Sequence, residues 1–263
     1  MRVWKTWMYA GAGGLALATM LAGTSASAQA VTTPAADSAQ TAEAAVGEDI
    51  VDGIYPIGQV LNQDELTARF GVSRSVLREA LRVLQSLGMV EPRQRVGTLV
   101  QPRHAWNLMD PQIISWRGRG REYFVQQREL LELRLGIEPV AARLCAARIT
   151  DAEASAIVAA ADTMVDANAA GDERRFLQAD IAFHSLILRG SGNAVMGHFS
   201  GTVEALLRTR PRERRGTITE YTSPSAHRHN ELAAALGRRE PEAAYRWSFE
   251  LLSATLEEFI AEG

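Results

Sequence analysis

The stretch "FGVSRSVLREALRVLQSLGMV", Phe70 to Val90, decides the fold class. It opens on Gly71, a turn former, and closes on Gly88, a helix stop. Between them Val76, Ala80, Leu81, Leu84 and Leu87 recur at helical spacing and predict one buried face. Arg74 and Arg78 stand four apart near the start of that helix, away from the apolar stripe. Alone, such a pair fits an ordinary solvated face. Its surroundings change the reading.

Upstream, Asn62 is placed to cap a helix running to about Phe70, and Gly71-Val72-Ser73 forms the turn into the arginine-bearing helix. A short helix is expected before both, from Ala42 to Asp52, with Ala45, Val46, Ile50 and Val51 as its apolar residues. "GIYPIG", from Gly53 to Gly58, breaks it. Downstream, Met89 to Pro92 and Thr98 to Val100 read as short strands, with "RQRVG" as the hairpin tip between them. The order helix, helix, turn, helix, wing is that of a winged helix-turn-helix. Such a unit lays its second helix in the major groove and sets first-turn residues against base edges and phosphates. Arg74 and Arg78 occupy that leading surface. An arginine fork can hold guanine O6 and N7, or a phosphate, with two hydrogen bonds. Ser73 either caps the helix or touches a phosphate, and Arg93 and Arg95 on the wing would reach phosphates or the minor groove.

Charge is distributed to match. The 263-residue chain carries a net charge of −3, which argues against a protein that coats nucleic acid everywhere. From Arg69 to Arg103, however, seven arginines face two glutamates, a local balance of 7 − 2 = +5 and a candidate phosphate footprint. Lys5 is the sole lysine and Cys145 the sole cysteine, which excludes an intrachain disulfide and a cysteine-based zinc site.

The N-terminus points elsewhere. Residues 1–30 read as a secretory leader: Arg2 and Lys5, a mostly apolar run from Tyr9 to Gly23, then small-residue cleavage sites around Ala28. A protein carried to the periplasm cannot regulate chromosomal DNA. A start near Val31 removes the conflict, because everything the DNA reading needs lies after it. The expectation is therefore a cytoplasmic protein. An exported helical ligand- or metal-binding protein stands as the alternative.

From Glu122 to Gly263 no strand alternation is convincing. Helical segments are expected over "ELLELRLGIEPVAARLCAARI", Asp151–Asn168, Asp172–Gly190, Ala194–Arg210, Ser225–Leu236 and Glu240–Ala261, with Pro139 kinking or restarting the first. They make an all-α bundle. Asp180 and His184 are four apart on one helix face, a spacing that suits two metal ligands, two groups on one polar ligand, or an ordinary exposed pair. "AHRHNEL" adds His227 and His229. Arg134 interrupts an apolar stripe of Leu130, Leu131, Leu133 and Leu135, where it needs an anion or an acid such as Glu138 or Asp180. There is no nucleophile motif, no HExxH and no phosphate loop.

The run from Gly53 to Val100, "GIYPIGQVLNQDELTARFGVSRSVLREALRVLQSLGMVEPRQRVGTLV", resembles the DNA-binding domain of the GntR family of bacterial transcription regulators. The resemblance places Ser73, Arg74, Arg78, Arg93, Arg95 and Gly97 at the DNA. The second half, through "LLELRLGIEPVAARLCAARI", "ADIAFHSLILRGSGN" and "HNELAAALGRREPEAA", resembles the FadR-type effector domain, FCD. In metal-binding members an aspartate and three histidines surround a divalent ion such as zinc. Asp180, His184 and His229 match three of these positions, and Leu251 stands where the fourth is expected. "HAWNLMDPQIISW" and Arg134 are similar to the sugar-acid branch, nearest the repressors of galactonate catabolism, in which the arginine faces the effector carboxylate.

The expected fold is mainly α: a winged helix-turn-helix over 31–103, a linker over 104–121, and an all-α effector and dimerisation domain over 122–263. The expected function is a homodimeric, ligand-responsive repressor on operator DNA, not an enzyme. Its effector is a small carboxylate such as an aldonate, bound by Arg134, Asp180, His184 and His229.

Overall fold

Local capping sets the elements around the opening stretch in the computed structural model, which describes residues 34–210 and 223–262. The 1–30 leader lies outside the described residues. Helix α1 spans Pro34–Val51, starting earlier than its apolar pattern suggests. Asn62 caps α2 (Gln63–Phe70): its side chain accepts from the backbone N–H of Asp64 at 3.0 Å. Gly71 ends α2 in the left-handed region, φ 64°, a conformation that glycine adopts without strain. Ser73 then caps α3 (Arg74–Ser86), accepting from Val76 N at 3.3 Å. The buried face of α3 is Leu77, Ala80, Leu81 and Leu84; Val76 is only half-buried, so the stripe is rotated by one residue at its start.

Gly88, φ 74°, follows α3 and leads into the wing. Strand β1 (Val60–Leu61), unanticipated because two residues carry no period, pairs antiparallel with β3 (Gly97–Val100). Strand β2 (Val90–Arg93) pairs with the other edge of β3, giving the order β1-β3-β2 and setting Val90 opposite Val100 and Arg93 opposite Gly97. Val46 and Ile50 of α1 close the core with Leu66, Leu77, Leu84, Met89 and Val100.

Residues 104–121 hold a further helix, α4 (Pro111–Arg119). Asp110 caps it, accepting from Gln112 N at 2.8 Å, and proline occupies its first turn. Trp116 of α4 joins the core of the winged segment, while Ile114 packs with Leu130 and Leu206 of the bundle. The bundle consists of α5 (Tyr123–Arg148), α6 (Asp151–Ala169), α7 (Glu173–Gly190), α8 (Ala194–His198), α9 (Ser200–Arg208), α10 (Ser223–Gly237) and α11 (Pro241–Glu262). The segment expected as one helix from Ala194 is divided at Phe199 into α8 and α9. Helix α5 runs on through Pro139 rather than restarting there. The bundle core includes Ala142, Cys145, Ile157, Met164, Phe183, Ile187, Leu232, Leu236 and Leu251. Among the described residues no helix is long and apolar enough to cross a membrane.

Candidate functional site

Two sets of polar residues stand apart from these cores. The first lies on α3 and the wing. Arg74 is largely exposed, and its guanidinium reaches Asp64 of α2 at 2.9 Å. Such an exposed ion pair holds little energy and is free to exchange for a phosphate. Arg78, one turn on, is exposed and has no ion-pair partner among the described residues. Ser73 spends its hydroxyl on the N-cap and lies 2.9 Å from the Ser75 hydroxyl. At the wing Arg93 pairs with Glu91 at 3.1 Å, both exposed. Arg95 is exposed at the tip with φ 60°. Gly97 has φ 121°, and a Cβ there would come within 2.8 Å of Val60, so its role is to let the hairpin close against β1. Four of these residues are exposed arginines, two on α3 and two on the wing hairpin.

The second set is buried in the bundle, where α5, α7 and α10 meet. Arg134 and Glu138 of α5 are each only 2% exposed. Arg134 donates from Nε to Glu138 Oε1 at 2.5 Å, and its Nη2 lies 3.5 Å from Oε2. Glu138 Oε2 is 2.7 Å from His184 Nδ1, and His184 Nε2 is 3.3 Å from Asp180 Oδ1. Ligand atoms of Asp180, His184 and His229 all lie within 4.8 Å of one another. His227, two residues from His229, is exposed and turned to the Trp247 ring instead.

Electrostatics fixes the proton positions. Burial would raise the Glu138 carboxyl, but the charges of Arg134 and His184 outweigh it and hold it at about 2. Burial likewise opposes ionisation of Asp180; the hydrogen bond and charge of His184, with Arg210 and His229, hold that carboxyl well below the usual carboxylate range. An ionised carboxylate only accepts, so His184 Nδ1 carries a proton toward Glu138 and Nε2 one toward Asp180, the latter a proton that a bound cation would displace. Burial disfavours the His184 imidazolium, yet Glu138 and Asp180 raise its pKa above the ordinary value. His229 is different: burial dominates and lowers it to about 4. Its Nδ1 lies 2.9 Å from the Ser225 carbonyl, an acceptor, so its Nε2 holds the lone pair.

Two imidazole nitrogens and one ionised carboxylate fit a divalent transition ion such as zinc. Leu251 is buried in the apolar core and supplies no donor. Three protein ligands leave a coordination position for water or a ligand oxygen. Sequence spacing made the Asp180–His184 and Arg134–Glu138 pairs visible, both at i, i+4. It could not show that Glu138 and His184 meet, since 46 residues separate them. Arg210, whose charge acts on Asp180, was also missed.

Residues 38–100 match the bacterial regulatory proteins of the gntR family, and residues 129–254 match the FCD domain. An HTH-type transcriptional regulator of Escherichia coli K12, YieP, is 30% identical over 206 residues, covering 76% of this chain and 86% of that protein. The chain belongs to the GntR family. The regulator is also 28% identical over 212 residues to the galactonate operon transcriptional repressor of the same organism, covering 80% of this chain and 91% of that one. In fold it is similar to Lar, which controls expression of the Listeria monocytogenes agr system, at a TM-score of 0.60 and 16% identity over 86% of this chain and 97% of that one. The regulator is thus a ligand-responsive DNA-binding transcription factor and not an enzyme. Its four exposed arginines on α3 and the wing lie within the match to the gntR family and its buried polar cluster within the match to FCD.

Proposed function

We propose that the regulator is a cytoplasmic homodimeric repressor of genes for sugar-acid or other small-carboxylate catabolism, released from a palindromic operator by its effector. Ser73, Arg74, Arg78, Arg93, Arg95 and Gly97 form its DNA-facing set, and Arg134, Asp180, His184 and His229 its effector set. The observation that carries the reading is a charged cluster enclosed by the bundle. Arg134, Glu138, Asp180, His184 and His229 are all buried, a costly arrangement that a protein retains where a polar ligand must be held. The likeness to the galactonate operon repressor supports an aldonate as the effector. Asp180, His184 and His229 would hold a divalent ion, which when bound would supply a Lewis-acidic position for a carboxylate or hydroxyl oxygen. Glu138 engages Arg134 through Nε and Nη2, so Nη1 is left for a ligand carboxylate.

Effector binding switches the regulator only if the effector prefers the dimer arrangement that misfits the operator. The test is operator titration with a panel of aldonates and hydroxy acids, with and without added zinc. Release by an aldonate at concentrations where glucose and acetate do nothing is expected. Release by no carboxylate in either series overturns the reading.

A further inference from the structure

Both oxygens of the Glu138 carboxylate are in use, and between them they reach both halves of the proposed effector site. Oε1 accepts from Arg134 on the same helix, and Oε2 accepts from His184 Nδ1 on α7. His229 has its Nδ1 fixed by a backbone carbonyl, which comes with the register of α10. At His184 the side chain of Glu138, on α5, meets Nδ1 instead.

We propose that Glu138 is a positioning residue: it holds the proton of His184 on Nδ1, so that Nε2 faces the cation position, and holds Arg134 for the ligand carboxylate. The proposal rests on the reading of Asp180, His184 and His229 as cation ligands. Its physical basis is that the hydrogen bond at one imidazole nitrogen decides which nitrogen keeps the lone pair. His184 Nε2 already lies 3.3 Å from Asp180, on the side where the three donor atoms gather. A single carboxylate thereby links the cation ligand to the anion-binding arginine. Shortening or removing it disturbs both.

Two double variants separate positioning from packing. Arg134→Met with Glu138→Met replaces the buried ion pair by apolar side chains of similar length, a change that buried pairs often tolerate. Arg134→Met with Glu138→Gln differs from it in one respect: the amide oxygen still accepts from His184 Nδ1. Zinc is titrated into the full-length wild type and both variants, with melting curves recorded alongside. Wild type is expected to bind zinc. The Met/Met protein should bind 10- to 100-fold more weakly, the loss typical of an outer hydrogen-bond partner, and the Met/Gln protein should recover much of it. Equal affinity in the two variants overturns the proposal. A wild type that binds no zinc instead removes the cation reading itself, before any variant is considered. Nitrogen-15 spectra of histidine-labelled, zinc-loaded wild type give a second test that needs no variant to fold. A protonated Nδ1 and a metal-bound Nε2 on His184 support the assignment, and the opposite tautomer overturns it.

Discussion

Arg78 projects from the solvent face of α3 one turn beyond the Ser73 cap, with no ion-pair partner among the described residues. It is exposed and lies outside the buried stripe of Leu77, Leu81 and Leu84, so removing its side chain leaves no cavity. Arg78→Ala should therefore melt like wild type while losing operator affinity. One bidentate base contact contributes about 1–3 kcal/mol, roughly 5- to 150-fold in affinity at fixed salt. Gel-shift or anisotropy titration checks this, and unchanged affinity would remove α3 from the groove. Arg134 has a different character. It is buried against Glu138, and Arg134→Ala would strand that carboxylate, at a cost of about 3–5 kcal/mol typical of a broken buried pair. The single mutant should consequently lose stability as well as effector response, which calorimetry and operator release measure separately. Sequence reasoning offered Arg134 a ligand anion or an acid, Glu138 or Asp180. The structure shows Glu138 engaged, and three N–H donors of the guanidinium are not spent on it.

The elements of the winged segment are shaped by a few residues at their ends. Gly88 is the clearest case. Its φ of 74° lies in the left-handed region, and a Cβ there would stand 2.1 Å from the Ala105 carbonyl oxygen. Gly88→Ala should cost at least about 2 kcal/mol, lowering the melting temperature by roughly 4–8 °C, and a mutant melting at the wild-type temperature would contradict that packing. The wing makes a separate prediction. If Arg93 touches a phosphate, Arg93→Ala should weaken binding to all sequences alike. It should also reduce the slope of log affinity against log salt by about 0.9. These elements were legible in the sequence because their signals are local: Asn62, Gly71, Ser73 and Gly88 sit at helix ends, and the α3 stripe has a clear period. Strand β1 was not, because its two residues are recruited by β3 from across the segment. Helix α4 had a signal, Asp110-Pro111 as cap and first turn, but a short helix inside a stretch expected to be a linker is easily passed over. The meeting of Glu138 with His184 depends on how α5 packs on α7, which no local pattern encodes.

At the scale of the whole molecule, residues from Pro34 onward form one compact unit, and α4 belongs to both of its ends. On one side the Trp116 ring fills the space a Cβ on Gly47 of α1 would need, at 2.7 Å, and α1 packs on α3. On the other, Gly118 lies so close to Thr209, just after α9, that a Cβ would approach it to 2.4 Å. Thr209 also accepts from Gln127 of α5 at 2.9 Å, and the next residue, Arg210, acts on Asp180 of the buried cluster. A series of contacts therefore runs from the recognition helix through α1 and α4 to Thr209, whose neighbour Arg210 acts on the cluster through its charge. Coupling between an effector and an operator is a free energy shared by the two sites, so each must change the other's affinity by the same factor. Gly118→Ala probes where that energy is transmitted. The added methyl overpacks the α4–α9 contact and should destabilise the protein by about 1–3 kcal/mol without touching either ligand set. Operator affinity without effector should stay within a few-fold of wild type, as should effector affinity without DNA. The ratio of operator affinities with and without effector should shrink toward one. Titrations in all four combinations close the thermodynamic cycle. An undiminished ratio in a protein with the expected lower melting point would show that α4 carries packing but not the signal.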